Sequence, residues 1–331
     1  LAFARERTGI VGRNGVGKTT LLNNMISSIV SGGKELKFGN FFDKESFFDK
    51  KITDDYFGGI ASVSFSAFDP FIPPPEQKDR DKGLTNFYIG LKKFESVNGK
   101  RNASPKSGED LTADFLASLG VCLSQDSKRS RWLQAIQKLE SDENFANMDL
   151  ARLVTASDEL ALTGARNAFS KMSSGHMIVL LTITKLVETV EEKTLVLIDE
   201  PESHLHPPLL SAFVRALSEL LSNRNGVAII ATHSPVVVQE VPKSCVWKLY
   251  RIRAEGSAER PEEETFGENV GTLTRDIFGL EVSKSGFHDV LNQAVKEGRN
   301  FDQILNEYDG QLGFEAQALL RALLASSFSN K

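Results

Sequence analysis

The stretch GRNGVGKT, Gly12–Thr19, constrains the fold of this chain more than any other. It fits the pattern G-x-x-x-x-G-K-[ST] at every fixed position, between a β-branched run at 8–11 and a segment of helical character at 19–30. Glycines let backbone N–H groups turn toward phosphate oxygens, and the following helix directs its positive end at the same anion. Because chance would rarely place such a turn between a strand and a helix, we expect an α/β fold that binds a nucleoside triphosphate.

The residues of this phosphate loop have separate expected roles. Lys18 reaches the β- and γ-phosphates of ATP, and the Thr19 hydroxyl binds Mg²⁺. The remaining residues are expected to bind the nucleotide through backbone groups of the loop and the helix start; they are Gly12, Arg13, Asn14, Gly15, Val16, Gly17 and Thr20.

A second motif is LIDEPESHLH at 197–206, which follows an apolar run beginning at 194. Unpaired buried charge is costly, so a strand that runs into carboxylates ends either at the surface or at a site. As a site, Asp199 holds Mg²⁺ through water, and Glu200 orients and deprotonates the attacking water. The alternative is a plain helix start, because acidic side chains favour helix N-termini.

A third motif is ATHSP at 231–235, directly after the apolar strand VAIIA. A histidine at the carboxyl end of a strand lies where open α/β sheets bind ligands. His233 is therefore predicted to contact the γ-phosphate as part of the catalytic set with Glu200 and Lys18. The alternative is a histidine that serves only its own loop.

Alternation of strands and helices predicts a P-loop NTPase with a mostly parallel sheet flanked by helices. We assign 1–67 and 167–265 to an ATPase core of the ABC type. Between them, 68–166 is predicted to be a helical insert, with helical apolar spacing around 84–95, 111–120 and 130–140. The region 266–331 is predicted to be a C-terminal helical region.

Composition narrows the class of protein. The net charge of −5 over 331 residues argues against a strongly basic nucleic-acid binder, although a local basic stripe is compatible with it. Two cysteines give no disulfide framework and no cysteine-rich zinc site. No run of about 18 apolar residues suggests a membrane span, so we expect a cytoplasmic protein.

The three motifs in this order resemble ABC-type ATPases of the SMC/RecF/OLD-like class. That class has a signature motif that opens a helix and closes over ATP bound to the opposite subunit. KMSSGHM, 171–177, matches it with Ser173 and Gly175, whereas Ser174 replaces a glycine and His176 a glutamine or glutamate. The resemblance implies a homo-dimer or higher oligomer, in which Ser173, Ser174 and Gly175 contact the partner's nucleotide. The alternative is a serine N-cap.

The class also implies two smaller features. A glutamine-bearing loop is expected after IASVSFS (60–66), but SFSAFD at 64–69 has no glutamine, so Ser66 or Asp69 is a candidate substitute. His204 and His206 form an H-x-H pair that could bind a transition metal. Because OLD-like ATPases carry a similar EPE-x-HLHP stretch, we favour roles at the dimer interface and in organising the site.

Within the class, VSFSAFDPF (63–71) and the tail at 266–291 resemble the ATPase subunit of Septu-type and retron-associated anti-phage systems. That resemblance implies a separate HNH nuclease partner. The insert has no sustained heptads for a long coil, and the 98 residues after His233 are short for an appended nuclease. The alternatives are a DNA-repair ATPase and a nucleotide-gated scaffold with little turnover.

The predicted insert contains basic residues that could form a nucleic-acid track, or equally a solvated face with interspersed acids. They are Lys78, Arg80, Lys82, Lys92, Lys93, Lys100, Arg101, Lys106, Lys128, Arg129 and Arg131.

Overall fold

A computed structural model describes residues 7–12, 15–32, 34–39, 41–43, 50–51, 56–67, 69–97, 100–252, 255–278 and 286–329. The chain divides into two compact units, 1–268 and 269–331. No helix among the described residues is both long and apolar enough to cross a membrane.

The first unit is built on a seven-stranded sheet with the order β11-β10-β1-β9-β8-β4-β5. The first six strands from the β5 edge are parallel, and β11 pairs antiparallel with β10. Two short hairpins, β2–β3 and β6–β7, lie outside this sheet. The strands are β1 (Arg7–Val11), β2 (Phe42–Asp43), β3 (Lys50–Lys51), β4 (Gly59–Ser64), β5 (Thr85–Gly90), β6 (Lys92–Val97), β7 (Lys100–Pro105), β8 (Thr194–Asp199), β9 (Val227–Thr232), β10 (Val246–Ile252) and β11 (Glu255–Glu259).

Helices cover both faces of the sheet, which is why its central strands are largely apolar. Alternate residues of β8 point to opposite faces, as strand geometry requires. Leu195 and Leu197 join a cluster with Leu22 of α1, whereas Val196 and Ile198 join the larger core under the other helices. The helices of this unit are α1 (Lys18–Val30), α2 (Gly108–Ser124), α3 (Asp126–Leu139), α4 (Glu143–Asn147), α5 (Asp158–Phe169), α6 (Ser174–Thr189), α7 (Pro207–Ser222) and α8 (Pro235–Gln239).

The predicted fold class is confirmed: a mostly parallel sheet is flanked by helices, and α2 to α5 fall in the region expected to be a helical insert. The helix predicted around 84–95 is wrong. This segment forms β5 at the edge of the main sheet and β6 of a hairpin. Four of the six residues of β5 are buried. A strand covered on both faces lacks the polar alternation that would have distinguished it from a helix.

The second unit is helical in its described part. Leu291, Ala294, Ile304 and Leu320 form its small buried core. Its helices are Val270–Phe278, Phe287–Lys296, Phe301–Glu307 and Phe314–Ser329.

Candidate functional site

The phosphate loop and the two polar strand ends meet at one edge of the sheet. β1, β9 and β8 are adjacent parallel strands, so their carboxyl ends lie side by side. The loop follows β1, the acidic pair ends β8, and His233 follows β9. Polar groups carried by three separate segments therefore converge where doubly wound sheets bind their ligands.

The described part of the phosphate loop has the geometry of an anion cradle. Gly15 and Gly17 adopt positive φ angles of 82° and 100°, and a Cβ at either position would meet no atom within 4 Å. The loop surface is thus open to a ligand. Lys18 is buried at the start of α1, where its Nζ donates to the Gly12 carbonyl at 2.8 Å. Val16 is partly buried and Thr20 is exposed, while Arg13 and Asn14 lie outside the described residues.

The closest link between loop and acidic strand joins Thr19 to Asp199. The Thr19 hydroxyl donates to Asp199 Oδ1 at 3.1 Å, although 180 residues separate the two positions. Burial raises the pKa of Asp199 to about 6, and the nearby charges of Glu200 and Asp69 act in the same direction. A hydroxyl and a carboxylate are oxygen ligands of the kind that Mg²⁺ prefers. The uncompensated negative charge at Asp199 also favours a cation, so these residues fit Mg²⁺.

Glu200 leaves β8 in an unusual backbone conformation. Its φ and ψ angles are 45° and 60°, in the left-handed region that non-glycine residues seldom occupy. Its N–H donates to the Ala231 carbonyl of β9 at 2.9 Å, which fixes the turn to the neighbouring strand. Glu200 Oε1 then lies 3.6 Å from Nδ1 of His233. The structure thus pairs the two residues that the sequence assigned to catalysis.

Glu202 braces this pair, a role that the sequence analysis missed. Its Oε1 accepts the Thr232 hydroxyl at 2.7 Å and the His233 N–H at 2.6 Å. The same oxygen lies 3.0 Å from His233 Nδ1. Glu202 therefore sets the position of the imidazole. The signal was the third carboxylate of the motif, spaced two residues beyond Glu200 in the sequence.

Asp69 lies in the place expected for the glutamine-bearing loop. It lines a small pocket together with Ser64, Tyr88 and Asp199, and its charge contributes to the raised pKa of Asp199. Lys92 is buried beneath it and donates to the carbonyls of Asp69 and Phe71 at 2.6 and 2.9 Å. Of the two proposed substitutes, Asp69 is thus held beside the acidic strand, and Ser66 is tied locally through its carbonyl to Ser64.

The signature residues lie at the start of α6. Ser173 is the N-cap and, like Ser174, is exposed, whereas Gly175 is buried. A Cβ on Gly175 would approach the His204 carbonyl to 2.7 Å, so only glycine allows this close packing. Ser173 does not cap its own helix through its side chain; its Oγ lies 2.6 Å from His176 Nδ1.

Of the two histidines in the H-x-H pair, only His206 belongs to a second polar cluster. Asp142, His176 and His206 bring one ligating atom each to within 4.8 Å of one another, and His204 is exposed outside this group. We call Asp142, His176 and His206, with Ser173, the helix-start cluster, because its members begin α4, α6 and α7. Asp142 had no role in the sequence analysis.

Part of the predicted basic track is bound to the chain's own backbone. Six of its eleven residues donate hydrogen bonds to backbone carbonyls of the chain itself. Lys92 and Arg131 are buried. Hydrogen bonds within the chain thus engage just over half of the basic side chains that were candidates for nucleic-acid contact. The six are Lys92, Arg101, Lys106, Lys128, Arg129 and Arg131.

Known proteins that are similar to this chain include a phage protein and a transporter. Protein ea59 of Escherichia phage lambda is 49% identical over 338 residues, covering 97% of this chain and 63% of that protein. More than a third of ea59 lies outside the match, so the length of the present sequence gives no argument against an appended nuclease. A metal-chelate-type ABC transporter in an inward-facing conformation matches 82% of this chain and 77% of its own, at 15% identity and a TM-score of 0.37.

Residues 41–239 match a family described as "AAA domain, putative AbiEii toxin, Type IV TA system". The match contains Asp199, Glu200 and His233 and begins after the phosphate loop, so the loop motif and the family match are independent observations. Because the match spans more than half of the chain, the protein belongs to this AAA-domain family of P-loop ATPases.

Proposed function

We propose that this protein binds and hydrolyses ATP as an ABC-type ATPase that dimerises around the nucleotide. The observation that carries the proposal is the contact of Thr19 with Asp199 at 3.1 Å, beside the pair formed by Glu200 and His233. A phosphate cradle, an acidic pair and an imidazole that converge on one edge are the groups that phosphoryl transfer to water requires.

Each group has a defined task. Lys18 places positive charge against the β- and γ-phosphates, as it now does against the Gly12 carbonyl. Mg²⁺, held by Thr19 and Asp199, would neutralise charge on the phosphate oxygens. Glu200 accepts a proton from the attacking water, and its backbone turn, fixed by the bond to Ala231, holds the carboxylate beside His233. His233, braced by Glu202, stands beside Glu200 where it can sense the γ-phosphate.

The dimer supplies the second half of each site. Ser173, Ser174 and Gly175 begin α6 with exposed serines, so the hydroxyls and N–H groups are available to a triphosphate held by a partner copy. Gly175 keeps this helix start pressed against the loop at His204, which positions both elements together. We propose a homo-dimer or a higher oligomer with this arrangement.

Beyond ATP, we propose that the cytoplasmic assembly regulates a separate HNH nuclease in anti-phage defence. The support is the resemblance of 63–71 and 266–291 to Septu-type ATPase subunits, of which Phe68 and 279–285 lie outside the described residues. A DNA-repair ATPase of the SMC/RecF type is the alternative, with direct nucleic-acid contact. The internal use of most of the basic track disfavours that alternative.

The test of ATP hydrolysis is phosphate release by Glu200→Gln. Loss of a positioned base lowers rates by about 10²–10⁴-fold, and the variant should retain ATP and accumulate as a closed dimer. Glu263→Gln, an exposed residue far along the sequence, is the matched control and should match the parent. A parental rate for Glu200→Gln would refute the assignment of the base. A parent that binds ATP but releases no phosphate would identify a nucleotide-gated scaffold.

Regulation is tested by measuring phosphate release with the product of an adjacent HNH gene, and separately with duplex DNA. Stimulation or repression by the HNH protein, together with a flat response to DNA, supports the proposed role. Stimulation by DNA alone supports a repair ATPase instead.

A further inference from the structure

Ser173, His176 and Asp142 form a hydrogen-bonded chain that runs from the surface into the core. Ser173 Oγ lies 2.6 Å from His176 Nδ1, and His176 Nε2 lies 3.0 Å from Asp142 Oδ1. The serine is exposed, whereas His176 and Asp142 are only 5% and 4% exposed. The hydroxyl at the tip of α6 is thus connected to a buried carboxylate through one imidazole.

The local structure holds this chain in place. Asp142 is the N-cap of α4, where its Oδ1 accepts the N–H groups of Asn144 and Phe145 at 3.0 and 3.2 Å. The Phe145 ring packs against the His176 ring with centroids 5.2 Å apart. Because the cap fixes the carboxylate and packing fixes the ring, His176 cannot turn away from Ser173 without losing its contact with Asp142.

The protons on this chain follow from its chemistry. An ionised Asp142 only accepts hydrogen bonds, so His176 Nε2 carries a proton. In neutral His176, Nδ1 then carries a lone pair and no proton, so the Ser173 hydroxyl must donate inward to it. In protonated His176, Nδ1–H donates to Ser173 Oγ, and the hydroxyl proton is released to donate outward. Only in the second state does the Ser173 hydroxyl offer an anion a hydrogen-bond donor.

The same logic assigns a proton to each nitrogen that a metal ion in the helix-start cluster would need. His206 Nδ1 accepts the Leu209 N–H at 3.4 Å, so its neutral ring carries the proton on Nε2, which lies 3.7 Å from Asp142 Oδ2. His176 Nε2 is protonated for the reason given above. A metal ion at this place would have to displace both of these protons. His206 and Asp142 are the titratable groups facing His176, and their charges act on it in opposite directions.

We propose that His176, held by Asp142, is a positioning residue that sets whether the signature hydroxyl of Ser173 donates to the γ-phosphate of ATP. The proposal rests on the proposed function in one respect, which is that the anion at Ser173 is the triphosphate of a partner copy. Protonation of His176 turns the hydroxyl outward and strengthens this contact. Glutamine at this position would supply an amide donor to Ser173 without any titration.

The kinetic test compares ATP hydrolysis by the parent and by His176→Gln between about pH 5.5 and 8, where histidine side chains titrate. Taking the ratio of the two rates removes any pH dependence that arises at Asp199 and Glu200, because both proteins share these residues. This ratio should rise several-fold toward low pH in the parent background. In a Ser173→Ala background it should be flat, because no hydroxyl remains to be turned. A ratio independent of pH, or the same ratio in both backgrounds, would overturn the proposal.

A second measurement stands apart from hydrolysis. Imidazole ¹⁵N shifts of the full chain should show His176 as the Nε2–H tautomer at high pH and as imidazolium at low pH, with a changed titration in Ser173→Ala. The Nδ1–H tautomer, or stoichiometric Zn²⁺ binding that His206→Ala removes, would refute the proton chain. If the shifts are as expected and the parent hydrolyses no ATP, the proposed function fails and the proton chain stands.

Discussion

The candidate nucleotide site at the edge of the sheet and the helix-start cluster are both groups of polar side chains, yet they are built differently. At the edge, each residue lies in a contiguous motif that ends a strand of one sheet or begins the next element. These residues are Lys18, Thr19, Asp199 and His233. In the cluster, Asp142 and His176 lie 34 residues apart and meet only because short helix starts pack together. Parallel strands bring motif residues together by rule, whereas helix packing brings them together case by case. The first site can therefore be predicted from sequence and the second only from coordinates.

The largest expected effect separates the two regions. Lys18→Ala should weaken ATP binding by about 100-fold, as expected for loss of a hydrogen-bonded charge, and calorimetry measures it. The helix-start cluster should be untouched, so the His176 titration should not change. Lys78→Ala, a lysine whose side chain is 72% exposed, is the control. Unchanged affinity in Lys18→Ala would remove the phosphate loop from the site.

The next effect tests packing at the cluster. Gly175→Ala places a Cβ 2.7 Å from the His204 carbonyl and should lower the free energy of unfolding by about 2 kcal/mol. Gly120→Ala is the matched control, because it also lies in a helix but its Cβ meets no atom within 4 Å. That control should gain about 0.5–1 kcal/mol from helix propensity. Chemical denaturation measures both, and equal shifts in the two variants would contradict the close approach.

The structure explains what the sequence analysis could and could not find. Asp199 and Glu200 were predictable because an apolar strand cannot end in carboxylates without a reason. Glu202 was visible in the same motif, but its bond to the His233 backbone depends on β8 and β9 being neighbours. The segment 84–95 was misread because burial on both faces removes the period of a strand. Asp142 carried no signal, since a capping aspartate occurs at many helix starts.

Asp199→Asn changes the sheet edge and should raise stability while it abolishes hydrolysis. The pKa of Asp199 is raised to about 6, so the folded state binds this proton more tightly than the unfolded state. Stability without Mg²⁺ therefore falls as pH rises from about 4 to 6, and the ionised carboxylate destabilises the protein at pH 7. The variant should gain about 1–2 kcal/mol at pH 7 in chelator, and it should lose hydrolysis.

The gain should disappear below about pH 4, where both states of the parent are protonated at this carboxyl. Asp276→Asn, on an exposed part of a C-terminal helix, should shift neither quantity. Thermal or chemical unfolding across pH gives the measurement. A loss of stability in Asp199→Asn at neutral pH would show that the carboxylate is already compensated.

The smallest expected effect divides the H-x-H pair. His206→Ala removes an N-cap whose Nδ1 accepts the Leu209 N–H, and it should cost about 0.5–1 kcal/mol. His204→Ala, at an exposed position, should cost less than about 0.5 kcal/mol. Equal losses in the free energy of unfolding, measured in urea, would show that the two histidines have the same structural role. His204 could then not be separated from the helix-start cluster.

The left-handed backbone at Glu200 has a consequence for sequence drift. A non-glycine residue in this conformation costs about 1 kcal/mol, which glycine would not incur. Selection for thermal robustness alone would therefore replace the acid by glycine and its neighbour Asp199 by an amide. Chains that keep the fold but have lost these two acids would be more stable and would bind nucleotide without hydrolysing it. Their persistence in a genome would indicate that nucleotide binding by itself is useful.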